Sequence, residues 1–294
     1  MQAATKSLTK FIPALFVFLW STGFISAVFA LPYIEPFYLL FLRIVMTVGV
    51  FGLLLWWYKA PLLRGEQLKH QTVVGLLIHG AYLGGVFSAV QFGMPAGVIA
   101  LLVSMQPLLT ALLLMKSASI NVKQWLGLSL GFGGVLLVLV GKGALADFTL
   151  NWQMITAALV ALGGITVGSL YQKRYSSSVN LLSASFVQYI ATAVLMALLT
   201  FSFETQAVDW QLPLILTLAW LVLGMSVLAI LLLLYMIKHG ASEKVASYFY
   251  LVPGITAIQA WLYFDEQFPP LAILGLLLSL VGVYLTVKTA PTSD

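Results

Sequence analysis

Three side chains capable of chemistry lie inside long apolar segments of this sequence: Arg43, His79 and Tyr82. His79 and Tyr82 are three residues apart, so a helix places them on one face. From there they could hydrogen-bond a polar solute or take up a proton, although a single membrane histidine is often satisfied by one interhelical hydrogen bond. Arg43 is the only formal charge well inside an apolar segment, where a charge usually faces a partner or a cavity. It could contact a substrate carboxylate, or it could snorkel outward or bind backbone carbonyls.

Pro107 and Pro253 lie near the middle of two other apolar segments. A proline lacks the backbone N–H and clashes with the carbonyl four residues earlier, which frees the carbonyls of Val103 and Phe249. Within lipid, freed carbonyls must be satisfied by protein or by a water-filled cavity. The pair therefore predicts two kinked helices that open a cavity and take part in gating, with a simple packing kink as the alternative.

Further candidates for substrate binding are polar or aromatic residues within the apolar segments. They are Trp20, Ser21, Ser104, Gln188, Tyr235 and Tyr248. Ser104 lies next to the carbonyl that Pro107 frees and could simply cap it. The absence of cysteine excludes disulfides and thiolate metal sites, and no Gly-Lys-Ser phosphate loop is present, so neither a metal, a cofactor nor direct ATP drive is expected.

The elements that must position these side chains are ten apolar segments, each of about 18–25 residues, the length that spans a ~30 Å hydrocarbon core as a helix. They are Phe11–Ala30, Phe37–Tyr58, Thr72–Phe92, Ala96–Met115, Gln124–Gly141, Trp152–Tyr171, Leu182–Ser202, Leu212–Met236, Lys244–Tyr263 and Pro270–Val287. The composition agrees, because 61% of the residues are hydrophobic and 8% are charged, against about 25% charged residues in a soluble domain. The sequence predicts an all-α membrane protein.

Charge fixes the orientation of these segments. Of the 14 Lys and Arg residues, 12 fall in alternate connections and termini, whereas the other connections hold only Lys142 and most of the acids. Positive loops stay in the cytoplasm, so both termini are expected inside and the number of spans is even. The net charge of +5 reflects this loop bias and does not indicate nucleic-acid binding. The first segment resembles a secretory signal, but its length and the charge alternation favour a retained helix.

The two halves of the sequence resemble each other at an offset of about 145–148 residues. Residues 91–107 align without gaps on residues 237–253, which pairs Pro107 with Pro253, and Arg43 pairs with Gln188 upstream. Five helices per repeat is an odd number, so the second repeat must be inverted. We expect a first repeat at residues 1–143 and a second at 144–294, within one membrane unit. Inverted repeats are a structural basis for alternating access around a site near the bilayer midplane.

At this point the sequence resembles the EamA-type transporters of the drug/metabolite transporter superfamily. The features that carry the resemblance are the five-plus-five organisation, the Trp20–Gly23 stretch, Arg43 and the paired Pro107 and Pro253. The resemblance covers essentially the whole chain. It implies a bacterial inner-membrane carrier that exports amino acids or other small metabolites through a central cavity lined by both repeats.

The expected function is export of neutral or aromatic amino acids, since the candidate site holds at most one cation and no anion. Partners would be a small-molecule substrate and the lipid bilayer, with no nucleic acid, and the protein would be a monomer or homodimer. The alternatives are a drug or other metabolite carrier, working in uptake as well as export, and a channel or non-transport scaffold. An enzyme is disfavoured because no Ser/His/Asp set, acid pair or metal cluster lies within the segments.

Overall fold

The computed structural model describes residues 11–113, 122–143, 149–176, 179–230, 232, 236 and 251–288. Over these residues the chain is helical, apart from one isolated antiparallel bridge between Ile34 and Val208. The helices are α1 (Ile12–Ala30), α2 (Pro36–Tyr58), α3 (Gly65–Gln91), α4 (Ala96–Val103), α5 (Gln106–Leu113), α6 (Val122–Gly143), α7 (Trp152–Tyr175), α8 (Leu181–Phe203), α9 (Leu212–Ala229), α10 (Val252–Phe264) and α11 (Pro270–Lys288). The prediction of an all-helical membrane protein is confirmed.

Seven of the described helices are long and apolar enough to cross a membrane, namely α1, α2, α3, α6, α7, α8 and α9. Two further apolar stretches, Ala96–Thr110 and Pro270–Leu285, are shorter than these seven. The apolar pattern locates the spans well but not the helix ends. Helix α3 begins at Gly65, seven residues before the apolar run, because the polar sequence there continues the helix past the membrane depth.

The chain packs as two compact units. Unit 1 comprises Met1–Ile25, Met94–Leu150 and Leu223–Asp294, and unit 2 comprises Ser26–Gly93 and Asn151–Val222. Each unit draws helices from both halves of the sequence. The compact units are therefore a different division of the chain from the predicted repeats at residues 1–143 and 144–294.

In unit 2, α2 packs against α8 through aromatic pairs. The rings of Phe41 and Phe201 lie 5.8 Å apart edge to face, and those of Phe51 and Tyr189 lie 5.3 Å apart. As the residue number rises along α2 it falls along α8, so the two helices run antiparallel. Arg43 on α2 and Gln188 on α8 are both buried.

Glycines allow α3 and α7 of unit 2 to approach closely. A Cβ atom on Gly85 would lie 2.7 Å from the backbone nitrogen of Ala161, and one on Gly164 would lie 2.8 Å from that of Tyr82. Both distances are well inside van der Waals contact, so any larger residue would push the helices apart. This close packing holds the middle of α3 against its neighbours.

Two carboxylates join the ends of α2 and α8 in unit 2. Glu204, just after α8, accepts hydrogen bonds of 2.7 and 2.6 Å from the first free N–H groups of α2, those of Phe37 and Tyr38. In return Glu35, just before α2, accepts a 2.8 Å bond from the backbone N–H of Thr205. An anion at a helix N-terminus is favoured by the helix dipole and by the unsatisfied N–H groups. The exchange ties the two connections together beside the Ile34–Val208 bridge.

In unit 1, α6 and α11 pack through glycines along their whole contact. A Cβ atom on Gly134 would lie 2.5 Å from the carbonyl of Gly275, and one on Gly282 would lie 2.5 Å from the carbonyl of Gly127. From one contact to the other, the residue number falls along α6 while it rises along α11, so these helices are antiparallel. The glycines of α6 are thus used for packing within the chain.

Lys142, near the end of α6, carries a positive charge that is buried. Lys142 is 2% exposed, pairs with Glu266 at 2.7 Å and lies 4.0 Å from the centre of the Phe268 ring. A buried ion pair of this kind specifies geometry more than it stabilises, because both charges lose water. It fixes the α10–α11 connection to the end of α6.

Pro107 and Pro253, the prolines near the middle of two apolar segments, each occupy the second position of a described helix. Helix α4 ends at Val103, a turn covers Ser104 and Met105, and Pro107 follows as the second residue of α5. Pro253 is likewise the second residue of α10. Proline is tolerated in the first turn of a helix, where its fixed φ suits the helical backbone. The fourth segment is thus two short helices separated by a turn, which is a stronger interruption than a kink.

Candidate functional site

A chain of four hydrogen-bonded side chains crosses the interior of unit 2, and we call Ser176, Gln71, Gln188 and His79 the polar chain. Gln71 Nε2 donates to Ser176 Oγ at 2.8 Å, and Gln188 Nε2 donates to Gln71 Oε1 at 2.7 Å. The remaining amide oxygen, Gln188 Oε1, lies 3.3 Å from His79 Nε2. Gln71 is fully buried and Gln188 is 4% exposed. Polar groups at such depth in an apolar helix bundle normally mark a functional site.

A π-helical stretch of α3, Gly75–Ala81, brings the polar chain together. Such widened turns insert an extra residue into the helix and are frequent at functional sites. At its start, Gly75 touches the backbone of Gln188, and a Cβ atom there would overlap that carbonyl. Thr192 completes the contact by donating to the Gly75 carbonyl at 3.0 Å. The Thr192 hydroxyl also lies 2.8 Å from the carbonyl of Gln188, so it links α3 to α8 beside Gln188.

The direction of the amides fixes the role of each nitrogen of His79. Because Gln188 turns its oxygen toward Nε2, that nitrogen must carry the proton, which leaves Nδ1 as an acceptor. The His79 ring stacks on Tyr189 with centroids 4.5 Å apart and planes at 28°. The ring is half-buried, so the site offers one acceptor nitrogen beside an aromatic surface.

Arg43 is also buried in unit 2, within electrostatic range of His79. Its side chain is 6% exposed and interacts electrostatically with Tyr82, Tyr189 and His79. This burial is incompatible with the snorkelling alternative. Tyr82 is also buried, at 7% exposure, so it contributes to the wall around Arg43. A guanidinium beside two phenols and an imidazole can bind a carboxylate through its fork of donors.

The Ser176 end of the polar chain adjoins an aromatic cluster. His70 stacks on Tyr175 with centroids 4.0 Å apart, and its Nδ1 lies 2.8 Å from the hydroxyl of Tyr171. Ser183, at the start of α8, donates to the carbonyl of Pro61 at 2.6 Å. These contacts join α7 to α3, and α8 to the connection before α3, at the Ser176 end of the polar chain.

Three of the predicted binding residues lie in unit 1 and thus in a different unit from the polar chain. Ser21 is fully buried and donates to the carbonyl of Phe18 at 2.8 Å. The Trp20 ring lies 5.3 Å from that of Phe16. Ser104 donates to the carbonyl of Leu101 at 2.7 Å and not to that of Val103, so the expected cap on the carbonyl freed by Pro107 is wrong. Tyr235 and Tyr248 lie outside the described residues.

Sequence reasoning missed Gln71 and Tyr189. Gln71 immediately precedes the apolar run, and its position was assigned to a loop, yet α3 extends over it and buries it. Tyr189 follows Gln188 directly, and no sequence signal distinguishes it from an ordinary aromatic packing residue. The extra residue of the π turn also shifts which side chains share a face, and helical periodicity does not predict this.

A separate cavity of about 390 Å³ lies in unit 2 beside the Ile34–Val208 bridge. Its wall includes Tyr33, Glu35, Gln91 and Asp209. Glu35 and Asp209 both accept hydrogen bonds from neighbouring side chains or backbone. The cavity lies at the loop end of the helices and does not include the polar chain.

Comparison with known proteins agrees with this architecture. Residues 11–140 and 151–288 each match the EamA-like transporter family. An uncharacterised transporter of Bacillus subtilis, YvbV, is 27% identical over 97% of this chain and 93% of its own length. The inner membrane transporter YedA of Escherichia coli K12, also uncharacterised, is 27% identical over 70% of this chain and 66% of its own length. A solved crystal structure has the same fold, with a TM-score of 0.65 and 21% identity over 96% of each chain. Since both halves match the family, this chain is a multi-pass membrane protein of the EamA-like transporter family.

Proposed function

We propose that this protein is a secondary transporter that exports neutral or aromatic amino acids across the inner membrane by alternating access. The observation that carries the proposal is the polar chain together with Arg43. Buried polar side chains in a membrane interior are costly, and here they converge on one half-buried histidine. Membership of a transporter family supplies the class of activity, and the chemistry of the site supplies the class of substrate.

The charges of the site suit a zwitterion. The guanidinium of Arg43 would bind the substrate carboxylate, and Nδ1 of His79 would accept a hydrogen bond from its ammonium group. Neither the guanidinium of Arg43 nor the imidazole of His79 supplies a negative charge, so a cationic side chain on the substrate would gain no matching charge from these two groups. Tyr82 and Tyr189 offer aromatic surface for an apolar or aromatic side chain.

We further propose a topology of ten spans in two inverted repeats, with both termini in the cytoplasm. The loop contacts support the alternation, since Glu35 meets Thr205, and Lys142 meets Glu266, between connections assigned to the same outer side. At the other side Ser183 meets Pro61 between two cytoplasmic connections. The one outer cation, Lys142, is neutralised by its ion pair.

The glycine contacts of α6 and α11 support the inverted repeat. The sequence alignment equates Gly127 with Gly275 and Gly134 with Gly282. In space Gly134 meets Gly275 and Gly282 meets Gly127, so exchanging the two helices maps one contact onto the other. Such reciprocity is the mark of a two-fold relationship. The match of the family to each half separately also supports it.

Export is tested by feeding dipeptides that contain tryptophan, phenylalanine or lysine to cells that express the protein. Expression should lower the intracellular pools of tryptophan and phenylalanine and raise them in the medium, with lysine unchanged. The Gln188→Leu variant serves as the matched control, and its membrane level is measured by immunoblotting. Unchanged pools at equal protein level would contradict export of these amino acids, and the drug or metabolite carrier and the non-transport scaffold would then become the leading alternatives.

A further inference from the structure

Two polar side chains of α10 in unit 1 are buried without a hydrogen-bond partner. Gln259 is 4% exposed, and neither its amide nitrogen nor its amide oxygen has a partner. Thr256 is fully buried, and its hydroxyl has none either. Three residues apart, the two side chains share one face of the helix. Three neighbouring polar atoms are thus left unsatisfied at one place.

This face of α10 is distinct from the one that packs on α4. Gly97 of α4 approaches Ala257, where a Cβ atom on the glycine would lie 3.5 Å from the Ala257 Cα. At 100° per residue, Ala257 lies about 100° from Thr256 and about 160° from Gln259 around the helix axis. Thr256 and Gln259 therefore lie on other sides of the helix than this Gly97 contact.

The energetics argue against a packing role for the pair. An unsatisfied buried amide or hydroxyl costs about 1–3 kcal/mol, and lipid-embedded segments have no bulk water to relieve that cost. Valine and leucine would fill the same volumes as threonine and glutamine without the penalty. A polar pair in this place is stabilised only when something that donates and accepts hydrogen bonds is bound to it.

We propose that Thr256 and Gln259 form a subsite within unit 1 for an uncharged hydrogen-bonding group of a small solute. Neither residue is charged, so the subsite complements a carboxamide, hydroxyl or indole N–H and not a carboxylate or ammonium. A carboxamide fits best, because it can pair its N–H and its oxygen with the Gln259 amide while Thr256 supplies a further donor or acceptor. The inference rests on the proposed transport of neutral amino acids and adds those with polar uncharged side chains to the expected substrates.

The test compares L-glutamine with L-methionine, which has a similar length and no strong hydrogen-bonding group. Wild type, Gln259→Leu and Thr256→Val are purified, and thermal unfolding is measured with and without each amino acid. Thr200→Val is the matched control, since Thr200 is another buried unpartnered hydroxyl, located in unit 2. We expect glutamine to stabilise wild type more than methionine does, and Gln259→Leu to weaken glutamine affinity about tenfold while leaving methionine unchanged.

The unfolding temperature without ligand shows whether the two side chains serve ligand binding or the stability of the fold. Gln259→Leu and Thr256→Val should unfold at the wild-type temperature or above it, because each removes an unsatisfied polar group. A marked fall in unfolding temperature would reveal a structural role and overturn the proposal, and so would equal glutamine affinity in wild type and Gln259→Leu. If neither amino acid stabilises wild type, the subsite as proposed is also rejected. The dipeptide efflux assay with tryptophan then decides independently whether amino-acid export itself fails.

Discussion

The amide of Gln188 donates a 2.7 Å hydrogen bond to the amide oxygen of Gln71, and this bond sets the direction of the whole polar chain. With its nitrogen turned to Gln71, Gln188 turns its oxygen to His79. Gln71 in turn offers its nitrogen to Ser176. Each donor therefore points away from His79 toward the end of α7, and the histidine keeps an acceptor nitrogen for a ligand.

Breaking this bond from either end should destabilise the protein. Gln71→Leu strands the amide nitrogen of Gln188, and Gln188→Leu strands the amide oxygen of Gln71, at a cost of about 1–3 kcal/mol each. The double variant removes both members and should cost less than the sum of the single variants. Thermal unfolding in detergent measures all three, and strictly additive losses would mean that the two amides do not depend on each other.

Pro107→Ala should slow transport without preventing membrane insertion. Alanine restores a backbone N–H that can bond the Val103 carbonyl, so α4 and α5 should join across Ser104 and Met105 into a straighter helix. Pro270→Ala is the control, because Pro270 is the first residue of α11 and its N–H has no helical partner to restore. Equal initial rates of transport in the two variants would show that the interruption before Pro107 has no part in the cycle.

Glu204 should make the stability of the protein depend on pH. Burial raises the pKa of the Glu204 carboxyl above the ordinary value of 4.5. The hydrogen bonds from the N–H groups of Phe37 and Tyr38 act in the opposite direction, and the charge of Glu35 raises the pKa further. The native state then holds the proton more tightly than the unfolded state. Its contribution to stability is fully present below pH 4.5 and is lost as the pH rises through the raised value.

Glu204→Gln removes this titration. The unfolding temperature of wild type relative to Glu204→Gln should therefore fall as the pH rises from about 4.5 toward neutrality and should then level off. The difference between the two proteins isolates Glu204 from all other titrating groups. A constant difference across this range, or one that grows with pH, would contradict the assigned direction of the shift.

Neighbouring glycines of α6 should respond very differently to alanine. A Cβ atom on Gly134 would lie 2.5 Å from the Gly275 carbonyl, whereas one on Gly133 meets nothing within 4 Å. Gly134→Ala should force α6 and α11 apart and lower the unfolding temperature. Gly133→Ala should leave it unchanged or raise it slightly, because alanine favours the helix. Similar behaviour of the two variants would argue against the close contact of α6 with α11.

The apolar pattern predicted most of the helical framework. Segment lengths near the bilayer thickness give strong signals, as for α2 and α8, where the predicted and observed ends agree within a few residues. Residues 237–250 and Tyr235 are outside the described chain, so the ninth segment is known only from Leu251 onward. The sequence did not predict the turn at Ser104 and Met105 as a full interruption, because proline restricts the preceding turn without fixing its shape.

The candidate site was predicted in part. Arg43, His79, Tyr82 and Gln188 stand out because polar side chains are rare in apolar spans, and unit 2 brings them together. Gln71 was missed because it lies at the boundary of an apolar run, where burial depends on how far α3 extends. Gln259 was missed because an isolated amide in an apolar segment carries no charge or spacing signal. Only three-dimensional packing reveals that it has no partner.

The most direct test of the account is counterflow of labelled L-tryptophan into liposomes, with no imposed ion gradient, for wild type and His79→Gln. Glutamine can donate to Gln188 in place of Nε2, which preserves the polar chain, but it removes Nδ1 and the ring that stacks on Tyr189. Wild type should transport tryptophan, and His79→Gln should show at least about tenfold less flux at an unchanged unfolding temperature. Absence of flux from folded wild-type protein, or equal flux in the two proteins, would contradict it.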